Sequence, residues 1–331
     1  MSRYFQPADM LYPLRFYPLY KRYLWGGRKF QTFLGRALGP GDNYAESWEI
    51  CDHGADQSVA AFGPLAGTTL GALVAEHGRE LLGRHHPRSQ FPLIAKFLDA
   101  RQALSVQVHP NDAQAARLNP PDLGKTEAWI VLEAEPECLI YAGLKPGVDR
   151  PALETAVLEG RCADCLHSFH PQAGDCVFLP AGTVHSLGAG LLVAEIQQSS
   201  DTTFRLFDWN RLGPDGKPRP LHVEQGLKAV DYRIGPINPQ PAHRADRAGV
   251  SRLVACEKFV LDRLSFDAPC KIGGDGRCHI LIILEGLLFV EGDPALAPMS
   301  RGSTALVPAC LGPVVLTPQK RVTALDAFLP E

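Results

Sequence analysis

Two absences narrow the partners of this 331-residue chain before any motif is read: it has no long hydrophobic run and no excess of positive charge. The most apolar stretch, HILIILEGLLFVEG from His279, is interrupted by Glu285 and Gly286 and is too short to span a bilayer. The opening, MSRYFQPADMLYPLRFYPLY, is broken by prolines and charges and reads as neither signal peptide nor anchor. The formal net charge is −3, so no global basic field attracts nucleic acid, and an anionic ligand has to be gripped by a few placed cations. No GxGxxG or P-loop pattern is present to hold a nucleotide. The cysteines number nine, an odd and scattered set with one CxxC pair, Cys162 and Cys165. No second pair follows at zinc-knuckle spacing, so the pair reads as coincidental. Together these features predict a cytoplasmic protein with no membrane and no nucleic-acid partner.

What the chain does have is 31 glycines and 28 prolines, which favour short strands and turns over long helices. Helical patterning is confined to brief stretches. One is TTLGALVAEHGRELLG, with Thr68 or Thr69 as N-cap and Gly83 as the stop. Others are NDAQAARL from Asn111, DRPALETAVLEG from Asp149, and PLHVEQGLKAVDYR. The Pro/Gly-rich segment 234–249 reads as a linker between a domain at 1–240 and a second at 250–331 of almost pure β pattern.

An internal echo supports that division. Gly174 and Gly302 each precede a proline, Pro180 and Pro308, by the same interval, and the two copies lie 128 positions apart. WIVLEAEPECLIYAG and ILIILEGLLFVEG form a second matching pair, each reading as a hairpin. A mainly β chain of two related modules with a few short helices is predicted. His185 of the first copy falls on Pro313 of the second, and Gly182 on Cys310. The second module is therefore expected to bind no metal and do no chemistry, since His279 alone supplies too few donors.

The candidate site starts from ALSVQVHPND. Leu104, Val106 and Val108 alternate with Ser105, Gln107 and His109, the pattern of a half-buried strand. Its polar face carries an imidazole and an amide rather than the charges of a solvated surface. Glu127 in GKTEAWIVL stands at the mouth of a following strand, and His185 closes the Gly-Pro-Gly-His pattern that begins at Gly174. Two imidazoles, a carboxylate and an amide form an N/O donor set without thiolate. That set suits Zn²⁺, with Mn²⁺, Co²⁺ or Fe²⁺ also acceptable.

ESWEI, FPLIAKFLDA, LSVQVHPND, GKTEAW, PAGTVHSLG and SSDTTFRLFDWNR occur in this order. Together they resemble the type I mannose-6-phosphate isomerases of the cupin superfamily, in their shorter bacterial form, over residues 11–235 and more loosely beyond. The resemblance implies two cupin-type jelly-roll modules and a metal-dependent aldose–ketose isomerase acting on a sugar phosphate, with one Zn²⁺ per chain. It implies His109, Glu127 and His185 as metal ligands, with Gln107 as an optional fourth. It implies Arg205 as an active-site arginine and Lys125 as a proton carrier.

From the residues themselves, Lys125 and Glu195 are both candidates for the general base, and Glu195 reads equally well as the buried partner of a lysine or arginine. Arg205 reads either as a fork for substrate oxygens or as half of an ion pair with Asp208. Lys96 and Ser105 are weaker candidates for the substrate phosphate. The competing functional readings are a metal-dependent cupin oxygenase and a non-catalytic sugar-binding cupin. Lys125 and Arg205 beside the metal argue against the first, and the intact ligand set argues against the second.

Overall fold

Turns at glycine and proline cut the chain into short strands, the longest of them Leu19–Gly27. The structure, a computed structural model, describes residues 11–213, 216–245 and 247–331. Among these the helices fall where the caps lie. Leu70–Leu82 starts at Thr69, whose side chain accepts from Ala72 N, and stops at Gly83. Asp112–Ala115 begins with a capping box of Asn111 and Gln114, and Arg150–Leu158 with Asp149. Val223–Ala229 completes the expected set.

The chain divides into two compact units, and the division is not a single cut. One holds the described residues of Tyr20–Ser47 and Lys96–Gln240; the other holds the described residues up to Leu19, of Trp48–Ala95 and of Pro241–Glu331. In the first unit a five-stranded sheet runs Leu166–Phe169, Ile140–Leu144, His185–Leu187, Val106–Val108, Phe204–Phe207. It faces strands of a six-stranded sheet that includes Cys176–Leu179, Glu127–Ala134 and Leu191–Gln198. Trp129, Val131, Ile140, Val177, Leu187 and Val193 fill the space between, as in a jelly roll. A second cluster, with Val106, Val108, Leu153, Leu206 and Leu227, packs the helices Arg150–Leu158 and Val223–Ala229 over the five-stranded sheet. The CxxC thiols belong to this cluster: both are buried, and burial pushes the Cys162 thiol up to about 12. They are packing residues.

The other unit repeats the two-sheet plan. Six strands include Val260–Phe266, Val322–Phe328, His279–Glu285 and Thr304–Val307, and three more are Cys270–Gly273, Pro313–Pro318 and Leu288–Val290. Leu264, Ile272, Leu281, Ile283, Val307 and Leu316 make its core. The sequence echo is a topological one, because Cys176–Leu179 pairs with Glu127–Ala134 as Thr304–Val307 pairs with His279–Glu285.

The two expected hairpins are not hairpins. Glu127–Ala134 and Ile140–Leu144 lie in different sheets, as do His279–Glu285 and Leu288–Val290. The connections turn at positive φ, Glu137 in one case and Gly286 in the other, and carry the chain from one sheet to the other. Alternating apolar residues look the same in both arrangements, since each strand needs only one inward face.

Two predictions follow from packing. Gly143 has φ +78°, and a Cβ there would lie 2.0 Å from the Gly235 carbonyl oxygen. Gly143→Ala therefore combines a disfavoured backbone region with a backbone clash, and should lose more than about 1 kcal/mol in denaturant unfolding.

In the second unit His279 lies between carboxylates, Nδ1 2.8 Å from Asp326 and Nε2 3.1 Å from Asp275, which also pairs with Arg277. Burial alone would lower its pKa, but the two carboxylates raise it to about 9. A raised folded-state value means the stabilisation is complete below the unfolded value of about 6.5 and is lost as pH climbs through 9. Thermal unfolding should thus occur at lower temperature at pH 9 than at pH 6.5, with the difference reduced in His279→Gln.

Candidate metal centre and active site

Strand pairing brings the expected ligands together. His185 is the register partner of Gln107, and Leu179 is the partner of Glu127. His109, Glu127 and His185 are all buried, and one ligand atom from each lies within 4.8 Å of the others. His185 Nε2 is 3.2 Å from Glu127 Oε1, and His109 Nε2 is 3.6 Å from Glu127 Oε2. Donor atoms bound tetrahedrally at about 2 Å from zinc sit roughly 3.3 Å apart. The spacing fits.

The orientation of the rings is the more informative feature. His109 Nδ1 lies 3.0 Å from the Thr202 carbonyl and His185 Nδ1 lies 2.9 Å from the Thr183 carbonyl. A carbonyl can only accept, so each ring carries its proton on Nδ1 and presents a lone pair at Nε2. Burial, then the nearby Lys125 ammonium, holds the His109 pKa well below its ordinary value, which keeps the ring neutral. Burial would raise the Glu127 pKa, but Lys125 and the histidines outweigh it and hold the carboxyl well below the usual range. Glu127 Oε1 is buried without a hydrogen-bond donor. Two aimed lone pairs and a carboxylate with an orphaned oxygen, all without thiolate, suit a divalent cation. The Gln107 amide nitrogen is 3.4 Å from His185 Nε2, adjacent to the three.

Gln107 and the predicted charged residues Lys96, Lys125, Glu195 and Arg205 line a cleft of about 290 Å³, and Lys125 joins it to the three buried ligands behind. Lys125 Nζ contacts Glu127 Oε2 and lies 3.2 Å from His109 Nε2 and 3.6 Å from Glu195 Oε1. Glu195 Oε2 accepts from Trp129 Nε1 at 2.7 Å. Lys96 is 5% exposed, with Nζ 3.2 Å from Glu195 Oε1 and 3.4 Å from Glu46 Oε2. Burial would lower the Lys96 pKa, but Glu195, Glu46 and Asp201 overcome it and keep the ammonium charged. Glu195 is thus the buried partner of two lysines, and it also lines the pocket. Ser105 is buried, lines the pocket and donates to Gln107 Oε1 at 3.4 Å.

Arg205 lines the pocket but does not pair with Asp208. It donates from Nη1 to the Pro220 carbonyl at 2.8 Å, and its Nε has no partner. Asp208 is instead held by Arg211 at 2.5 Å and by both ends of the Arg219 fork, at 2.8 and 2.6 Å. Burial, and next the neighbouring Arg219, push the Arg205 pKa down, as expected for two guanidiniums sharing one rim.

Arg219 is a pocket residue that no motif announced, because it arrives on an irregular loop. Tyr23, Trp25 and Glu46 also line the pocket and were missed, although Glu46 lies within ESWEI. Leu104 departs from the expected alternation as well. The strand begins only at Val106, and the Leu104 carbonyl is taken by Ser186 Oγ and Trp209 Nε1.

Comparisons with known proteins agree with this geometry. Residues 14–129 match the family model for the catalytic domain of type I phosphomannose isomerase. A mannose-6-phosphate isomerase of Bacillus subtilis, ManA, is 32% identical over 301 residues, covering 91% of this chain and 94% of that protein. A mannose-6-phosphate isomerase of Streptococcus mutans is 38% identical over 220 residues, covering 66% of this chain and 67% of that protein. The crystal structure of the mannose 6-phosphate isomerase from Bacillus subtilis superposes with a TM-score of 0.86 at 27% identity, covering 96% of this chain and 99% of that one.

Removing one ring should remove the metal. Purified protein should carry about one equivalent of divalent metal by elemental analysis, and His185→Ala should carry well under a tenth of that while remaining folded by circular dichroism. Full metal content in His185→Ala would contradict the ligand assignment.

Proposed function

The chain belongs to the type I phosphomannose isomerases, and on that premise we propose that the pocket of its first unit interconverts mannose 6-phosphate and fructose 6-phosphate through an enediol. The observation that carries the reading is the pair of buried imidazoles, tied at Nδ1 to carbonyls, whose Nε2 atoms converge with Glu127 beside Lys125. His109, Glu127 and His185 would hold one divalent metal, for which Zn²⁺ suits the donor set, with Gln107 as an adjacent donor. When bound, that metal supplies Lewis-acid polarisation of the oxygens on C1 and C2, which exchange carbonyl character in the reaction.

The other residues divide the remaining work. Isomerisation moves one proton between C1 and C2, and we assign Lys125 or Glu195 to carry it. Trp129 and Lys96 fix the Glu195 carboxylate in place, so its orientation is set before substrate arrives. Arg205 has an unpartnered Nε at the pocket wall and is assigned to the substrate oxygens or phosphate. Arg219, locked by Asp208, adds positive charge at the same rim. A chain of net charge −3 thereby holds an anionic sugar with local cations instead of a basic surface. All nine cysteines are free thiols, which suits the reducing cytoplasm we assign to it.

The direct test is production of fructose 6-phosphate from mannose 6-phosphate, with and without a chelator. Activity should fall at least tenfold on chelation and return with Zn²⁺. Turnover indifferent to the chelator would exclude the metal role, and no product with metal present would exclude the substrate. Arg205→Lys keeps the charge but loses the planar fork, and kcat/KM should drop by roughly 10²-fold with metal content unchanged. A fall in kcat and kcat/KM together places Arg205 in the transition state, whereas a rise in KM alone restricts it to binding.

A further inference from the structure

The second unit contains a cleft at the place where the first unit has its active site. Leu179 and Val307 are equivalent in the sequence echo, and they face Glu127 and His279 respectively across their strand pairs. Two residues further along those strands, Trp129 faces Glu195 and Leu281 faces Asp326. His279 and Asp326 therefore hold the strand positions of a metal ligand and a pocket carboxylate. Both are buried, and both line a cleft of about 450 Å³, within the range of small-molecule sites.

The charges of this cleft are arranged in two tiers. The deep tier is internally neutral. Arg252 pairs with Asp262, while Asp326, His279, Asp275 and Arg277 form an alternating chain of contacts. With Arg277, which pairs with Asp275 from outside the cleft lining, that makes three cations and three anions, with His279 charged at neutral pH because two carboxylates hold its proton. The outer tier is Arg244 and Arg247, both exposed and both lining the cleft. Arg247 donates to the Lys271 carbonyl, and neither arginine has an ion-pair partner among the described residues. Among the described residues the mouth thus presents two arginines without ion-pair partners, above a floor rich in carboxylate acceptors.

Two guanidiniums with no ion-pair partner among the described residues match a phosphate monoester, which carries about −1.5 to −2 at pH 7 and accepts bidentate hydrogen bonds. Carboxylates below it match a ligand with hydroxyl groups to donate. We propose that the second unit is a non-catalytic binding site for a phosphorylated polyol or sugar, its phosphate on Arg244 and Arg247 and its hydroxyls on the Asp262 and Asp326 carboxylates. With Pro313 at the position of His185, the cleft lacks the ligands to do chemistry on what it binds.

Equilibrium binding of sorbitol 6-phosphate tests this, because that ester has no carbonyl and cannot be isomerised. The readout is the number of equivalents bound per chain by the parent minus that bound by Arg244→Ala/Arg247→Ala. The double variant should bind one equivalent fewer, with unchanged melting temperature and unchanged turnover of mannose 6-phosphate. Arg205→Ala should leave that equivalent in place, so failure of the catalytic reading and failure of this one are separable. No difference between parent and double variant overturns the proposal. Inorganic phosphate should bind the same site at least tenfold more weakly. Equal binding would show that the carboxylate floor contributes nothing, and would overturn the ligand class.

Discussion

A carboxylate buried out of reach of water, Glu127, governs the arrangement of the first unit. An ionised carboxyl in that position is stable only with opposite charge around it. Lys125 supplies that charge two residues before it, and a metal held jointly with His109 and His185 would supply it again. Glu195 poses the same problem one strand away, and Lys96 with Trp129 answers it. The cleft is therefore an alternation of acids and bases on adjacent strands. The members are paired with one another, which is why a residue such as Lys96 belongs to the site without facing solvent.

The carbonyls of Thr183 and Thr202 matter as much as the ligands they orient. An imidazole free to flip would present N–H or lone pair to the same point, and the two are opposite in their attraction for a cation. Tying Nδ1 to a backbone acceptor removes that freedom at the cost of no further side chain. In the second unit His279 receives the reverse treatment. Carboxylates flank both of its nitrogens, so it keeps both protons and becomes a fixed cation. One strand position on one scaffold thus holds a candidate metal-ligand carboxylate in one unit and an imidazolium in the other. The side chains facing it determine which chemistry is available.

Several features were readable from residue order because their causes are local. Thr69, Asn111 and Asp149 cap the helices that follow them, since a cap is a contact across three residues. The repeated Gly-to-Pro spacing revealed duplicated modules because the same turns bound the same edge strand in each. His109, Glu127 and His185 stood out as inward-facing residues at strand ends, and the resemblance to a known family grouped them. The hairpins were misread for an equally physical reason: a turn into the facing sheet and a turn into the neighbouring strand leave the same alternation.

By itself the sequence determined the β-rich class, the two modules, the short capped helices and the donor set, because period, turn chemistry and residue type are properties of neighbours. Pro313 at the position of His185 led to the expectation that the second module holds no metal site of the same kind. Tertiary structure alone decided which charges meet. It gave Asp208 to Arg211 and Arg219 instead of Arg205, and brought Arg219 to the rim on an irregular loop. It placed Lys96 between two carboxylates and set Arg244 and Arg247 over the cleft of the second unit. Such pairings are set by register across sheets and by loop paths, over separations where one residue's identity carries no information about its partner.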